Sequence, residues 1–290
     1  MSISGIIVAD KPAGWTSHDV VAKLRGILQE KRIGHGGTLD PIATGVLPVF
    51  IGNATRATQF CENANKEYIA GLRLGISTDT QDITGNTIGE CDVSVSAADL
   101  LSVIPRFLGA QKQIPPMYSA VKQNGRKLYE LARRGLDVSR PPRDIHISDI
   151  ELLENNDNEY LLRIGCSKGT YIRTLCHDLG QALGCGGTMS SLRRTKAGMF
   201  DLGMAHSLVV IQDAANSGSV NNIMLKVDSV FSEYPSARLG EPEVLRCRNG
   251  APCSAPNLAN GKYRFYGPDD EFLLFGKVVN GKIERIKGFY

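Results

Sequence analysis

The amino-acid sequence predicts an α+β fold built on a mixed, largely antiparallel sheet. Strand-like and helix-like segments follow one another without regular βα alternation, which disfavours a doubly wound parallel sheet. Residues 145–153 and 160–166 alternate with period two on either side of an Asn155-Asn-Asp-Asn158 turn, the pattern of an antiparallel hairpin. The 31 glycines and 13 prolines divide the rest into short elements. A chain of 290 residues fits one large domain with a small companion, and we place these at 1–230 and 235–290.

The elements follow in order. Ile6-Ile-Val-Ala9 reads as a buried strand stopped by Pro12-Ala-Gly14. Apolar residues at 20, 21, 24, 27 and 28 predict a helix over 17–28, with Ser17 in the N-cap position. Residues 34–45 form a shaped loop, and 46–51 a strand whose Pro48 marks an edge or a bulge. Residues 66–74 alternate as a strand with one buried face, and 78–85 are loop. Helices are predicted over 96–108, over 126–134 (closed by Gly135) and over 170–183, and 216–222 reads as a linker. Beyond it, short alternating segments separated by Gly and Pro predict a small β-barrel-like module.

Composition narrows the functional class. Hydrophobic residues make up 42% and charged residues 22%, as in ordinary globular proteins. No apolar run reaches the roughly 18 residues of a membrane span, and the N-terminal apolar patch is too short for a signal sequence, so a cytoplasmic protein is expected. Seven cysteines, an odd number with no C-x-x-C pair, point to reduced thiols rather than disulfides or a zinc site. The net charge of +3 conceals blocks: 115–143 carries +5, 163–196 carries +5, and 144–160 between them carries −6. Basic blocks of this kind suit a polyanion-binding face, although solvated surface would give the same count.

Gly34-His-Gly-Gly-Thr-Leu-Asp-Pro-Ile-Ala-Thr-Gly45 is the first candidate for chemistry. It is neither a P-loop nor a dinucleotide fingerprint, since no Gly-Lys-Ser/Thr follows and residue 39 is leucine. It offers His35 and Asp40 on a glycine-rich turn, where an Asp before Pro41 also suits a simple turn former. The string, continued through Val46-Leu-Pro48, closely resembles the catalytic motif of the TruB family of bacterial tRNA pseudouridine synthases, which act on uridine 55 of the T-loop. Asp10-Lys-Pro12, Lys66-Glu-Tyr68, Lys168-Gly-Thr-Tyr-Ile-Arg173 and Leu192-Arg-Arg194 resemble further motifs of that family, in its order, over residues 5–205.

The resemblance implies a pseudouridine synthase fold and a reaction that breaks the N1–C1′ bond, turns the uracil and joins C5 to C1′. No cofactor and no metal are required, because no atoms or electrons are gained or lost. Asp40 is the implied catalytic carboxylate, and Arg173 the implied cation beside it, where a phosphate contact is the alternative. Tyr68 is implied to stack on the uracil, with a more doubtful part in removing the C5 proton, since a phenol near pKa 10 is a poor base. His35 resembles the family's wedge, which fills the gap left by the flipped nucleotide. Lys11, Asp82, Tyr171 and Leu192 complete the implied substrate pocket. The 115–143 segment corresponds to an insertion that grips the T-stem-loop, with Arg133 and Arg134 on phosphates, and 235–290 to an RNA-binding module of the PUA type. The implied partner is tRNA, bound by a monomer. Three other readings stay open: a non-catalytic RNA-binding or tRNA-folding protein on the same scaffold, a glycosidase using Asp82 as a second acid, and a guide-RNA-dependent relative.

Overall fold

The computed structural model describes residues 3–123 and 125–290. In chain order, β1 (Gly5–Lys11) leads through α1 (Ser17–Leu28) and β2 (Ile33–His35) to β3 (Thr44–Ile51). Next come α2 (Thr58–Glu62), β4 (Lys66–Leu74), the small hairpin β5 (Ile76–Thr78) and β6 (Thr87–Glu90), α3 (Ala97–Val103) and β7 (Gly109–Gln113). A second small hairpin, β8 (Lys122–Gln123) and β9 (Arg126–Lys127), is followed by α4 (Leu128–Ala132). The larger N-terminal part ends with β10 (Arg143–Asn156), β11 (Glu159–Cys166), α5 (Ile172–Ala182), β12 (Gly187–Ala197), β13 (Phe200–Asp201), β14 (Ala205–His206) and α6 (Leu208–Asn216).

Ten strands form one sheet in the order β14-β1-β3-β12-β4-β11-β10-β7, with β2 added to β3 and β13 to β12. Only β1–β14 and β3–β12 are parallel, so the mixed, mostly antiparallel sheet expected of an α+β protein is present. The hairpin predicted around residues 155–158 is the β10–β11 pair, and its turn residue Asp157 takes φ 49°. Across the sheet centre, Lys11 pairs with Gly45, Gly45 with Arg194, and Arg194 with Tyr68. Four segments that are distant in sequence thereby place these residues in one row. Only glycine fits at 45: its φ is 99°, and a Cβ there would lie 2.3 Å from the Arg194 carbonyl oxygen.

Several local expectations are revised. Thr16, not Ser17, caps α1, in a reciprocal capping box with Asp19. Ser17 is instead buried, and its hydroxyl takes the Leu39 N–H at 2.8 Å. Pro48 is neither at an edge nor in a bulge: β3 runs between β1 and β2. Its carbonyl accepts from Gly36 N–H just past the end of β2, and its ring nitrogen faces the same way, where no further strand requires a donor. The helix over 96–108 stops at Val103 and tightens into a 3₁₀ turn over Ile104–Phe107, because Pro105 has no N–H to continue the α ladder. The helix over 126–134 shortens to α4, since Arg126 and Lys127 pair with β8. The expected linker at 216–222 is packed structure: Val220 lies in the core cluster that also holds Ile7, Val20, Leu24 and Ile211.

The C-terminal segment folds as β15 (Ser236–Arg238), α7 (Glu241–Arg248), β16 (Cys253–Ser254), β17 (Gly261–Tyr266), β18 (Phe272–Val279) and β19 (Lys282–Gly288). Its strands make a separate five-stranded sheet, β15-β17-β18-β19-β16. Phe275 of β18 and Phe289, just past β19, share a core cluster with Ile6, Val8, Phe50 and Phe231, which joins the two sheets through apolar contact. All seven cysteines are free thiols, with only Cys91 exposed. Among the described residues, no helix is long and apolar enough to cross a membrane.

Candidate active site

The loop between β2 and β3 presents Asp40, and four other segments hold its backbone. Ser17 from α1 bonds both the N–H and the carbonyl of Leu39, at 2.8 and 3.3 Å. Lys11, at the end of β1, donates to the Pro41 carbonyl at 3.3 Å and to Pro12 at 2.9 Å, and the Gly14 N–H also reaches Pro41. Arg194 of β12, 1% exposed, sends its guanidinium to three carbonyls: Val46 at 2.7 Å, Gly37 at 3.1 Å and Thr38 at 3.4 Å. Leu39 and Ala43 turn into the core on either side of Asp40. Every flank of the loop is therefore tied down, and the orientation of the Asp40 carboxylate is set before any ligand arrives.

Arg173 meets this carboxylate from the first turn of α5. Its Nη2 lies 3.1 Å from Asp40 Oδ2, and its Nη1 lies 3.9 Å from Asp82 Oδ2. The side chains of Arg173 and Asp82 are 6% and 7% exposed, whereas that of Asp40 is 35% exposed, so Asp40 is the member of the trio open to a ligand. Desolvation pushes the Asp40 pKa above the usual carboxylate range. Arg173 opposes that rise, Asp82 adds to it, and Lys11 opposes it again. Asp82 is held by its own loop, accepting from Thr80 Oγ1, Thr84 N–H and Thr84 Oγ1. The loop is in turn fastened to α5 by Thr174, which donates to Gln81 Oε1 at 2.7 Å.

The structure brings together the other residues expected from the sequence to differing degrees. Tyr68 and Leu192 lie beneath the surface in the same core cluster as Leu39 and Ala43. Burial raises the Tyr68 pKa and Arg194 only partly offsets it, so the phenol keeps its proton at neutral pH. Lys11 is fully buried, and desolvation lowers its pKa to about 8 against the opposing pull of Asp40. His35 ends β2 with a buried, unpartnered Nδ1. Burial, helped by Arg194 and His18, lowers its pKa and leaves the imidazole neutral at pH 7. Tyr171 sits just before α5, with the Arg173 guanidinium 5.8 Å from its ring centroid. Arg133 and Arg134 are exposed just past α4, and among the described residues neither forms an ion pair with Asp40 or Asp82. Arg133 and Lys127 each lie 5.4 Å from the Tyr129 ring, giving a basic patch with an aromatic at its centre.

Three supporting residues escaped sequence reasoning. Arg194 lies within the Leu192–Arg194 string, where nothing local marks its role, and Ser17 reads as a helix cap. Gln113 carried no signal at all, yet it is 5% exposed and both ends of its amide bond the Tyr171 backbone.

Comparison with known proteins identifies the family. Residues 25–172 match the TruB family pseudouridylate synthase N-terminal domain, and 173–232 match the tRNA pseudouridylate synthase B C-terminal domain. The chain belongs to the TruB family of pseudouridylate synthases. It is accordingly an isomerase, as the sequence motifs implied. The tRNA pseudouridine synthase B of Syntrophomonas wolfei is 42% identical over 282 residues, covering 95% of this chain and 94% of that protein. That of Stutzerimonas stutzeri is 40% identical over 280 residues, covering 95% and 92%. Among solved structures, a Cbf5–Nop10–Gar1 complex superposes with a TM-score of 0.76 at 29% identity, covering 99% of this chain and 85% of the other. An H/ACA RNP bound to a substrate RNA containing 2′-deoxyuridine superposes at 0.73 with 27% identity, covering 99% and 85%.

Proposed function

We propose that this enzyme converts uridine 55 in the T-loop of tRNA to pseudouridine, with Asp40 as the catalytic carboxylate. The observation that carries the proposal is the Asp40–Arg173 pair: a partly exposed carboxylate 3.1 Å from a buried guanidinium, on a loop fixed from four sides. Isomerisation at the base–ribose junction needs an anion beside C1′ and the base, in a site from which bulk water is largely excluded. Desolvation favours the neutral acid, and Arg173 and Lys11 oppose that shift toward protonation. The remaining steps rearrange one nucleotide: N1–C1′ breaks, the uracil turns, C5–C1′ forms, and the C5 proton departs to leave an N1–H product.

The other residues divide the work of holding the nucleotide. Tyr68 stacks on the uracil, and its elevated pKa favours stacking over proton removal. Leu192 supplies apolar contact from the adjacent strand. The target base has to leave its stack at a cost of a few kcal/mol, and the neutral His35 ring fills the space it vacates. Arg133 and Arg134 bind phosphates of the T-stem-loop, and the C-terminal five-stranded sheet, as a PUA-type module, adds RNA contact.

Tritium release from tRNA labelled at uridine C5, with mapping of the altered nucleotide, tests substrate and site together. Asp40→Asn should abolish release while tRNA still binds. Turnover near the wild-type rate would refute the assignment of Asp40, and a product mapped elsewhere would refute position 55. If wild-type enzyme binds tRNA without releasing tritium, the scaffold is a binding protein instead.

A further inference from the structure

We propose that Gln113 is a positioning residue that couples the RNA-gripping insertion to Arg173. Gln113 is the last residue of β7 and pairs with Arg143, the first of β10, so the insertion leaves and rejoins the sheet at this one pair. Its buried amide bonds the backbone of Tyr171. Oε1 accepts the Tyr171 N–H at 2.8 Å, and Nε2 donates to the Tyr171 carbonyl at 3.0 Å. That carbonyl also accepts the Leu175 N–H, the opening hydrogen bond of α5. Two residues further on, Arg173 points back to the insertion, and the Nη2 that faces Asp40 also donates to the Tyr118 carbonyl at 2.8 Å. The stem of the insertion thus grips the start of α5 at Tyr171 and at Arg173, from positions 113 and 118.

The placement has a mechanical consequence. A glutamine whose donor and acceptor both bond one backbone residue, in a buried site, fixes that residue in position and orientation. The helix that follows starts from there, and the guanidinium is set against Asp40. Force applied to the exposed arginines by RNA is transmitted through Gln113 and Tyr118 to the catalytic pair rather than dissipated in a hinge. This coupling rests on the reading of Asp40 and Arg173 as the reacting pair.

Gln113→Met keeps the volume and removes both bonds. Single-turnover tritium release with saturating tRNA is measured against pH, alongside tRNA affinity and the thermal midpoint. The groups facing Asp40 are Arg173, Asp82, Lys11 and Tyr68, and the variant displaces only the first. The expected result is a rate lowered about tenfold, tRNA affinity within about threefold, and an acid limb moved to higher pH, because the cation that opposes Asp40 protonation has shifted away. A site that merely loosens and admits water would move the limb to lower pH. That outcome, or an unmoved limb, overturns the proposal. If Gln113→Met fails to fold, Gln113→Asn, a neutral amide too short to make both bonds, is read for the same limb. Asp40→Asn run in parallel separates the two ideas: full turnover there sinks the catalytic assignment, whereas an inactive Asp40→Asn with a wild-type limb in the Gln113 variant sinks only the coupling.

Discussion

Replacing Arg173 by Met removes the cation 3.1 Å from Asp40 while leaving Lys11 in place. With an effective dielectric near 20, a charge pair at that separation is worth about 5 kcal/mol. The Asp40 side chain is 35% exposed, so water screens much of that interaction, and about 1–2 kcal/mol remains as the realistic difference between charged and neutral forms. That is about a tenfold shift toward the neutral acid, on a carboxyl already raised by desolvation. The assay is the single-turnover rate of tritium release across the acid and neutral range. Because Asp40 acts as an anion, the rate falls as pH drops through its pKa, and the variant's acid limb should lie at higher pH than that of wild type. Arg173→Lys, whose ammonium cannot serve Asp40, Asp82 and Tyr118 together, should fall between the two. A limb that stays in place in both variants would refute the electrostatic role and leave Arg173 as a packing element or a phosphate contact.

Two further outcomes are expected. Lys11 is fully buried with its pKa lowered to about 8, so the charged form is disfavoured in the folded state, by up to about 3 kcal/mol against the exposed amine. Between that value and the unfolded pKa the unfolded chain binds more protons, so wild type should gain stability relative to Lys11→Met from pH 8 upwards. Denaturant titrations of both proteins at neutral and alkaline pH check the sign, and a constant difference would place Lys11 in contact with water. Reversing or removing charge at Arg133 and Arg134 should weaken tRNA binding and reduce the slope of log affinity against log salt by about 1–2. An unchanged slope would put the RNA on another face.

Much of the architecture was legible in the sequence, for reasons specific to each element. β4, β10 and β11 announce themselves because one face of each is buried, and burial on one face of a strand imposes period two. Ser17 reads as the cap of α1, but a tertiary contact draws its hydroxyl to Leu39 and the cap falls to Thr16. Pro105 ended a helix that periodicity would have continued. The 216–222 segment has the composition of a linker, but Val220 finds a place in the core.

For the site, the sequence by itself determined a glycine-rich turn bearing Asp40 and a later segment bearing Arg173. Both are local strings whose residue types limit what they can do. What only the tertiary structure decided is how they are held. Lys11, Gly45, Arg194 and Tyr68 share one row because β1, β3, β12 and β4 are neighbours in that register, and strand order and register are set by long-range packing that no local pattern encodes. Arg194 among carbonyls and Gln113 beneath Tyr171 follow from the same cause. A polar side chain acquires its role from the backbone that folding brings within hydrogen-bonding distance, and that backbone lies 148 residues away for Arg194 and 58 for Gln113.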